Sequence, residues 1–173
     1  KRWQGSGTDC DLNAAGVRQA EELLEKFRGK KLEVIFSSPL IRARHTAEVV
    51  AGGLGLPVIV RENLRECFYG EAEGRPIADL AESCPEILNN WYNSAEKYLD
   101  IRFPGGESKK EARDRVLKEL DALAAEPYQV VGAAIHGGTM GQLLNYYHVP
   151  YDKIPNCAAS VSYTHLRAHE TVL

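Results

Sequence analysis

The chain has 173 residues, 44% of them hydrophobic and 26% charged, with a formal net charge of −3. That length fits one domain able to bury its own core without metal or disulfide staples, and the acidic balance leaves no basic footprint for nucleic acid. No apolar run is long enough to cross a membrane and no signal-peptide pattern opens the sequence, so neither a membrane nor nucleic acid is an expected partner.

Cys10, Cys67, Cys84 and Cys157 are scattered, with no Cys-x-x-Cys pair. They read as free thiols in a reducing cytoplasm rather than as zinc ligands. Residues 1–11 are Gly-rich and polar, and read as loop. Asn13 is placed to cap a helix to about Arg28, with Val17, Ala20, Leu23, Leu24 and Phe27 on one face. Leu32 to Phe36 reads as a buried strand that ends in the Ser37-Ser38-Pro39 turn. A helix follows from about Leu40 to Leu54, with Ile41, Ala47 and Val50 inward and Gly52, Gly53 and Gly55 as its stop. Pro57 to Val60 is a second strand. Residues 61–106 are less regular and mostly polar, with short helices expected around Ile77–Ala81 and Glu86–Tyr92. Ser108 and Glu111 have the spacing of a capping box for a helix to about Ala125. Val130 to Ile135 is the strongest strand pattern, and His136-Gly137-Gly138 joins it to a helix through about Tyr147. Strands alternating with helices predict one α/β domain with its sheet layered by helices.

Three stations carry chemistry. Arg42 falls in the first turn of a helix after a strand, where a planar guanidinium can grip phosphoryl oxygens near the positive helix end. The same pattern also describes a surface arginine at a helix start. Glu66, before the Phe68-Tyr69-Gly70 turn, becomes a general acid if partial burial raises its pKa, and is otherwise a loop carboxylate paired with an arginine. His136 stands at the carboxyl end of an apolar strand, the edge where ligands sit in open α/β sheets. Gly137 and Gly138 would let an anion approach the backbone and the helix amides there. A structural histidine fits that position too. Gly52-Gly53-Leu54-Gly55 ends a helix rather than following a strand, so a nucleotide-binding loop is not expected.

Taken together, these segments resemble the histidine phosphatase (phosphoglycerate mutase-like) superfamily. Leu12 to Ala20 is similar to its L-T-x-x-G-x-x-Q-A segment, and Ser38 to Ala47 to its S-x-L-x-R-A-x-x-T-A signature. Leu64 to Gly70 with Glu73-Gly74 is similar to L-R-E-x-x-x-G-x-x-E-G, Pro104 to Ser108 matches P-G-G-E-S, and Ile135 to Gly138 matches the second catalytic histidine motif. The five motifs run in order over roughly residues 2 to 158. The resemblance implies a three-layer α/β/α sandwich and chemistry through a phosphohistidine, without metal or other cofactor. It implies that Arg42, with His136 and Gly137, holds the phosphoryl group. Glu66 would protonate the leaving oxygen and later activate water.

The family's nucleophile lies in an Arg-His-Gly motif on the first strand, and no Arg-His-Gly occurs in this sequence. The expectation is a domain over residues 1–160 truncated at its N-terminus, with first strand and nucleophile missing. Val161 to Thr171 resembles one reading frame of a transposase sequencing adapter, so 161–173 is expected to be an artefactual tail standing where the last strand belongs. The implied activity of the intact parent is hydrolysis of small phosphorylated metabolites, with this chain inactive. Between Pro76 and Phe103, Lys97 and Arg102 are outnumbered by Asp79, Glu82, Glu86, Glu96 and Asp100, which speaks against a site for a bisphosphate. Phosphoglycerate mutase activity and a non-catalytic phospholigand-binding protein are the alternatives.

Overall fold

In the computed structural model, which describes residues 2–160 and the backbone of 163, 164, 171 and 172, the first helix is α1 (Ala14–Phe27). Its start is set by Asn13, whose side chain accepts from the Gly16 amide at 2.9 Å. The strand β1 (Val34–Ser37) follows and is buried throughout. Next comes α2 (Ile41–Leu54), whose N-cap residue Leu40 supplies no side-chain bond. Asp9, from the opening loop, takes that part: its carboxylate accepts from the Ile41 amide at 2.7 Å and places negative charge at the helix's positive end. Gly55 closes α2 in the left-handed conformation, with φ 70°. Gly53 lies inside the helix, where a Cβ would come within 2.8 Å of Leu24 Cδ1. Gly53 therefore permits close α1–α2 packing, while a Cβ at Gly52 or Gly55 would meet nothing within 4 Å.

After β2 (Val58–Val60), the chain is irregular apart from 3-10 turns and the short helices α3 (Ile77–Ser83) and α4 (Pro85–Asn90). The helix α5 (Lys109–Ala124) opens with the expected capping box between Ser108 and Glu111. β3 (Val131–Ala134) and α6 (Gly137–Tyr146) complete the domain.

The three strands form one parallel sheet in the order β2-β1-β3, with Ile35 opposite Val58 and Val34 opposite Val131. Alternation along β1 sends its side chains to two cores. Val34 and Phe36 pack with Leu64 and Leu123 of α5, while Ile35 packs with Ala47, Val50 and Ala51 of α2. Helices thus cover both faces of the sheet, as the alternating pattern predicts. A third cluster joins Tyr69, Trp91, Phe103 and Ala112, with Trp3 packed against it. The Tyr69 and Trp91 ring centroids are 5.1 Å apart, and Trp91 and Phe103 are stacked at 5.8 Å. These aromatic contacts give the irregular stretch a core of its own.

One expectation needs correction, and one strand differs from what its composition suggests. Ile41 is only partly buried, and the inward face of α2 is formed by Ala43, Ala47, Val50 and Ala51. β3, the most apolar run, is only partly buried and Ala133 is exposed. A continuous apolar run marks a strand covered on both sides, whereas β3 is an edge of the three-stranded sheet. The tail expected over 161–173 lies outside the described residues, except for the antiparallel backbone pairing of Tyr163–Thr164 with Thr171–Val172.

Candidate active site

Because β1 and β3 are parallel neighbours, their carboxyl ends meet at one sheet edge. Ser38 leaves β1 there and His136 leaves β3, with Ser38 Oγ 2.7 Å from His136 Nε2. His136 is the N-cap residue of α6; its amide donates to Thr139 Oγ1 at 3.2 Å, and its carbonyl accepts from Thr139 Oγ1 and the Met140 amide. Burial, reinforced by the charges of Arg42 and Arg115, depresses its pKa to about 3. The imidazole is therefore neutral at physiological pH.

Glu66 arrives from the loop after β2 and is buried against the start of α6. Its carboxylate accepts from the Cys67 amide at 2.8 Å and from the Gly138 and Thr139 amides at 2.9 Å each. Burial raises its pKa, partly opposed by these amides and by Arg42. A carboxyl group so placed is pushed toward the range in which it can both give and take a proton. Of the first amides of α6, those of Gly138 and Thr139 go to Glu66, and the Gly137 amide is not among the donors to it. The close approach that glycine permits is at Gly138, where a Cβ would meet the Tyr69 hydroxyl and come within 2.6 Å of Glu66 Oε1. Gly137 is exposed, with nothing within 4 Å of a built Cβ.

Arg42, in the first turn of α2, donates to the Thr8 carbonyl at 2.7 Å and the Gly5 carbonyl at 3.1 Å. The loop it holds is fixed from the other side by Glu73, which accepts from the Gly5 and Gly7 amides, the Thr8 hydroxyl and the Tyr69 amide. Arg42 acts electrostatically on both Glu66 and His136, so the structure brings the three residues picked out in the sequence into one site.

Three supports escaped the sequence reading. Arg115, on α5, pairs bidentately with Glu107 at 2.8 and 2.9 Å and donates to the carbonyls of Asn63, Arg65 and Glu66. Glu107 in turn accepts from the Phe68 amide at 3.0 Å. Together they clamp the backbone that presents Glu66. Ser38 is the third. Glu107 and Ser38 do lie in quoted motifs, but a motif letter carries no partner. Arg115 is one arginine among many on a charged helix, and nothing in its spacing marks it.

Beside the site lies an open polar cleft of about 700 Å³, lined by Asn89, Tyr92, Asn93, Asn145 and Tyr151 among others. None of its lining residues is a lysine or arginine. Tyr92 links cleft and site: its phenol pKa is raised by burial and by the charge of Glu66. Among the described residues, no group of three His, Cys, Asp or Glu side chains is arranged for a metal ion, and no helix is long and apolar enough to cross a membrane.

The sequence profile of the histidine phosphatase superfamily (branch 1) matches residues 1–172. The chain belongs to that superfamily. It is 35% identical over 132 residues to a Hydrogenobacter thermophilus protein named "Putative phosphoserine phosphatase 2", an alignment covering 76% of this chain and 64% of that one. It is 32% identical over 146 residues to "Probable phosphoglycerate mutase GpmB" of Yersinia pestis, covering 84% of this chain and 66% of that one. The chain thus spans somewhat under two thirds of the length of these curated relatives. Among solved structures, a mycobacterial glucosyl-3-phosphoglycerate phosphatase in complex with inorganic phosphate superposes with a TM-score of 0.73 at 26% identity, over 87% of this chain and 75% of that one. The chain therefore shares the α/β architecture of a structure in which phosphate has been observed.

Proposed function

We propose that the intact parent is a phosphomonoesterase of small phosphorylated metabolites, and that the 173-residue chain binds phosphate at this site without turning substrate over. The observation that carries the reading is the convergence of Arg42, Glu66 and His136 at the carboxyl edge of β1 and β3. Arg42 uses one N–H on each of two carbonyls, and its remaining donors can reach phosphoryl oxygens. His136, neutral, contributes a directed hydrogen bond rather than a full charge. Glu66 gives its proton to the ester oxygen as the P–O bond breaks and the phosphoryl group passes to a histidine nitrogen of the parent. As a carboxylate it then takes a proton from the water that attacks phosphorus, releasing inorganic phosphate.

The reading that the chain does not turn substrate over rests on the histidines of the described residues. No Arg-His-Gly is present, His45 Nδ1 is 2.7 Å from the Asp11 carboxylate, and His148 follows the last helix. His136 is occupied through Nε2 by Ser38. Hydrolysis is favoured over mutase chemistry by the polar cleft, because a second phosphate or a carboxylate there would meet no lysine or arginine, and the lining carries the Asp152 carboxylate along with His148, carboxamides and phenols.

The test is a side-by-side assay of the 173-residue chain and the full-length parent. The parent is expected to release inorganic phosphate from p-nitrophenyl phosphate and small phosphomonoesters. The chain is expected to bind inorganic phosphate in an Arg42-dependent manner, with no release above background. Interconversion of phosphoglycerates by the parent without phosphate release would overturn the hydrolase reading. Turnover by the chain that is lost in Glu66→Gln would overturn its inactivity.

A further inference from the structure

We propose that the polar cleft between the end of α4 and the segment after α6 receives the leaving alcohol of the substrate, and that this alcohol is a neutral polyhydroxylated group such as a sugar. The place of the alcohol in the reaction rests on the phosphate-site reading above; the affinity of the cleft for a neutral sugar does not.

The walls of the cleft are tied to one another through α6. Asn145 Nδ2 donates to the Tyr92 carbonyl at 3.2 Å, and the Tyr151 hydroxyl donates to the Gly141 carbonyl at 3.3 Å. A Cβ at Gly141 would come within 3.0 Å of both the Tyr92 ring and the Tyr151 hydroxyl, so glycine lets both walls close on the helix. From the other side, the buried Lys109 ammonium donates to the carbonyls of Asn90 and Asn93 and pins the stretch that carries Tyr92.

The same face of α6 leads to the candidate active site. Gly138, against which the Glu66 carboxylate lies, precedes Gly141 by three residues, roughly 4.5 Å of helical rise. The Tyr92 ring is thus about one helical turn from that carboxylate. Burial and the Glu66 charge both raise the Tyr92 phenol pKa. An alcohol of a few carbons spans that separation from an oxygen protonated by Glu66.

The lining selects the class of alcohol. An anionic group would meet no lysine or arginine and would share the cleft with the Asp152 carboxylate. An apolar group would take water from carboxamides and a carboxylate without replacing their hydrogen bonds. A hydroxyl both donates and accepts, and a carboxamide offers one donor group and one acceptor side by side. The side chains of Asn89, Ser94, His148 and Asp152 line the cleft and are hydrogen-bonded to nothing else among the described residues. Tyr92 is 44% exposed and offers a ring on which the C–H face of a sugar can pack.

The experiment titrates the full 173-residue chain with D-glucose, inorganic phosphate, glucose 6-phosphate and 3-phosphoglycerate, following the side-chain amide resonances of Asn89, Asn93 and Asn145 by 1H–15N NMR. Glucose is expected to bind at millimolar concentration and to shift these amides, and Tyr92→Ala to weaken it about tenfold. Glucose 6-phosphate is expected to bind more tightly than glucose or phosphate alone, because its two ends are held together. It is also expected to bind more tightly than 3-phosphoglycerate, a preference that Asp152→Lys, at an exposed position, should reduce. No shift of the three amides by glucose in the wild-type chain overturns the proposal, and that measurement needs no variant to fold. Glucose 6-phosphate binding no more tightly than inorganic phosphate would overturn the placement of the leaving alcohol. Glucose binding at these amides without any binding of inorganic phosphate would sustain the sugar cleft and overturn the phosphate-site reading instead.

Discussion

Replacing Arg115 by methionine is expected to destabilise the fold by about 3 kcal/mol or more, the usual cost of removing one partner from a buried ion pair. The magnitude follows from what the guanidinium holds. Its side chain is 11% exposed and that of Glu107 17%, and the pair is bidentate. Methionine fills much of the space but leaves Glu107 with the Phe68 amide and a 3.4 Å contact to Arg65, and it strips a donor from the carbonyls of Asn63, Arg65 and Glu66. By contrast the Arg28–Glu25 pair, with side chains 55% and 62% exposed, is screened by water, and Arg28→Ala is expected to cost less than about 0.5 kcal/mol. Both are read by urea denaturation followed through tryptophan fluorescence, since Trp3 and Trp91 lie together in the aromatic cluster next to the Glu66 loop.

The acid response makes the test sharper. Burial works to raise the pKa of Glu107, but hydrogen bonds from Arg115 and the Phe68 amide, together with the charges of Arg115 and Arg65, hold it below its ordinary value. A depressed folded pKa gives stability that is fully present above the unfolded value of 4.5 and lost as pH falls through the lower folded value. In Arg115→Met that contribution is gone, so the gap between variant and wild type is wide at pH 7 and narrows below 4.5. A variant within 1 kcal/mol of wild type at pH 7, or a gap that does not change with pH, would refute the assignment of Arg115 and Glu107 as the clamp behind Glu66.

His136 adds to the stability loss in acid in the same direction as Glu107. Its folded pKa of about 3 lies below the ordinary histidine value of 6.5, so through that window the unfolded chain binds a proton that the folded chain does not. Stability is expected to fall by up to about 1.4 kcal/mol per pH unit as pH drops through the window. Acid denaturation curves should be correspondingly shallower in His136→Asn, and parallel curves would show that the buried ring does not titrate as described. The two glycines of the α6 turn should differ sharply. Gly137→Ala is expected to fold and bind inorganic phosphate as wild type does, while Gly138→Ala, whose methyl group meets Tyr69 and Glu66, should lose both stability and phosphate binding. Thermal unfolding with a phosphate titration separates them, and equal behaviour would count against the packing described at Gly138.

How much was legible in the sequence depended on whether a residue's part is set locally. The caps at Asn13 and Ser108 are local, since each hydroxyl or amide reaches an N–H only three residues on, and both stand where the spacing placed them. Arg42, Glu66 and His136 were readable because each sits at a junction that the chain marks itself, a helix start, a loop before a glycine turn, a strand end. The features left unread are set at a distance. α2 is capped by Asp9 from 32 positions away, and its own N-cap residue gives no sign of it. The Gly138 and Thr139 amides of α6 look available to a ligand until Glu66, more than 70 positions earlier, is found accepting them. β3 carries the most apolar run, yet its burial depends on sheet order, which no single strand encodes. The same distinction explains why Ser38 is informative. In the sequence it is one letter of a turn; across the sheet its hydroxyl lies 2.7 Å from His136 Nε2 and ties the end of β1 to the residue that starts α6.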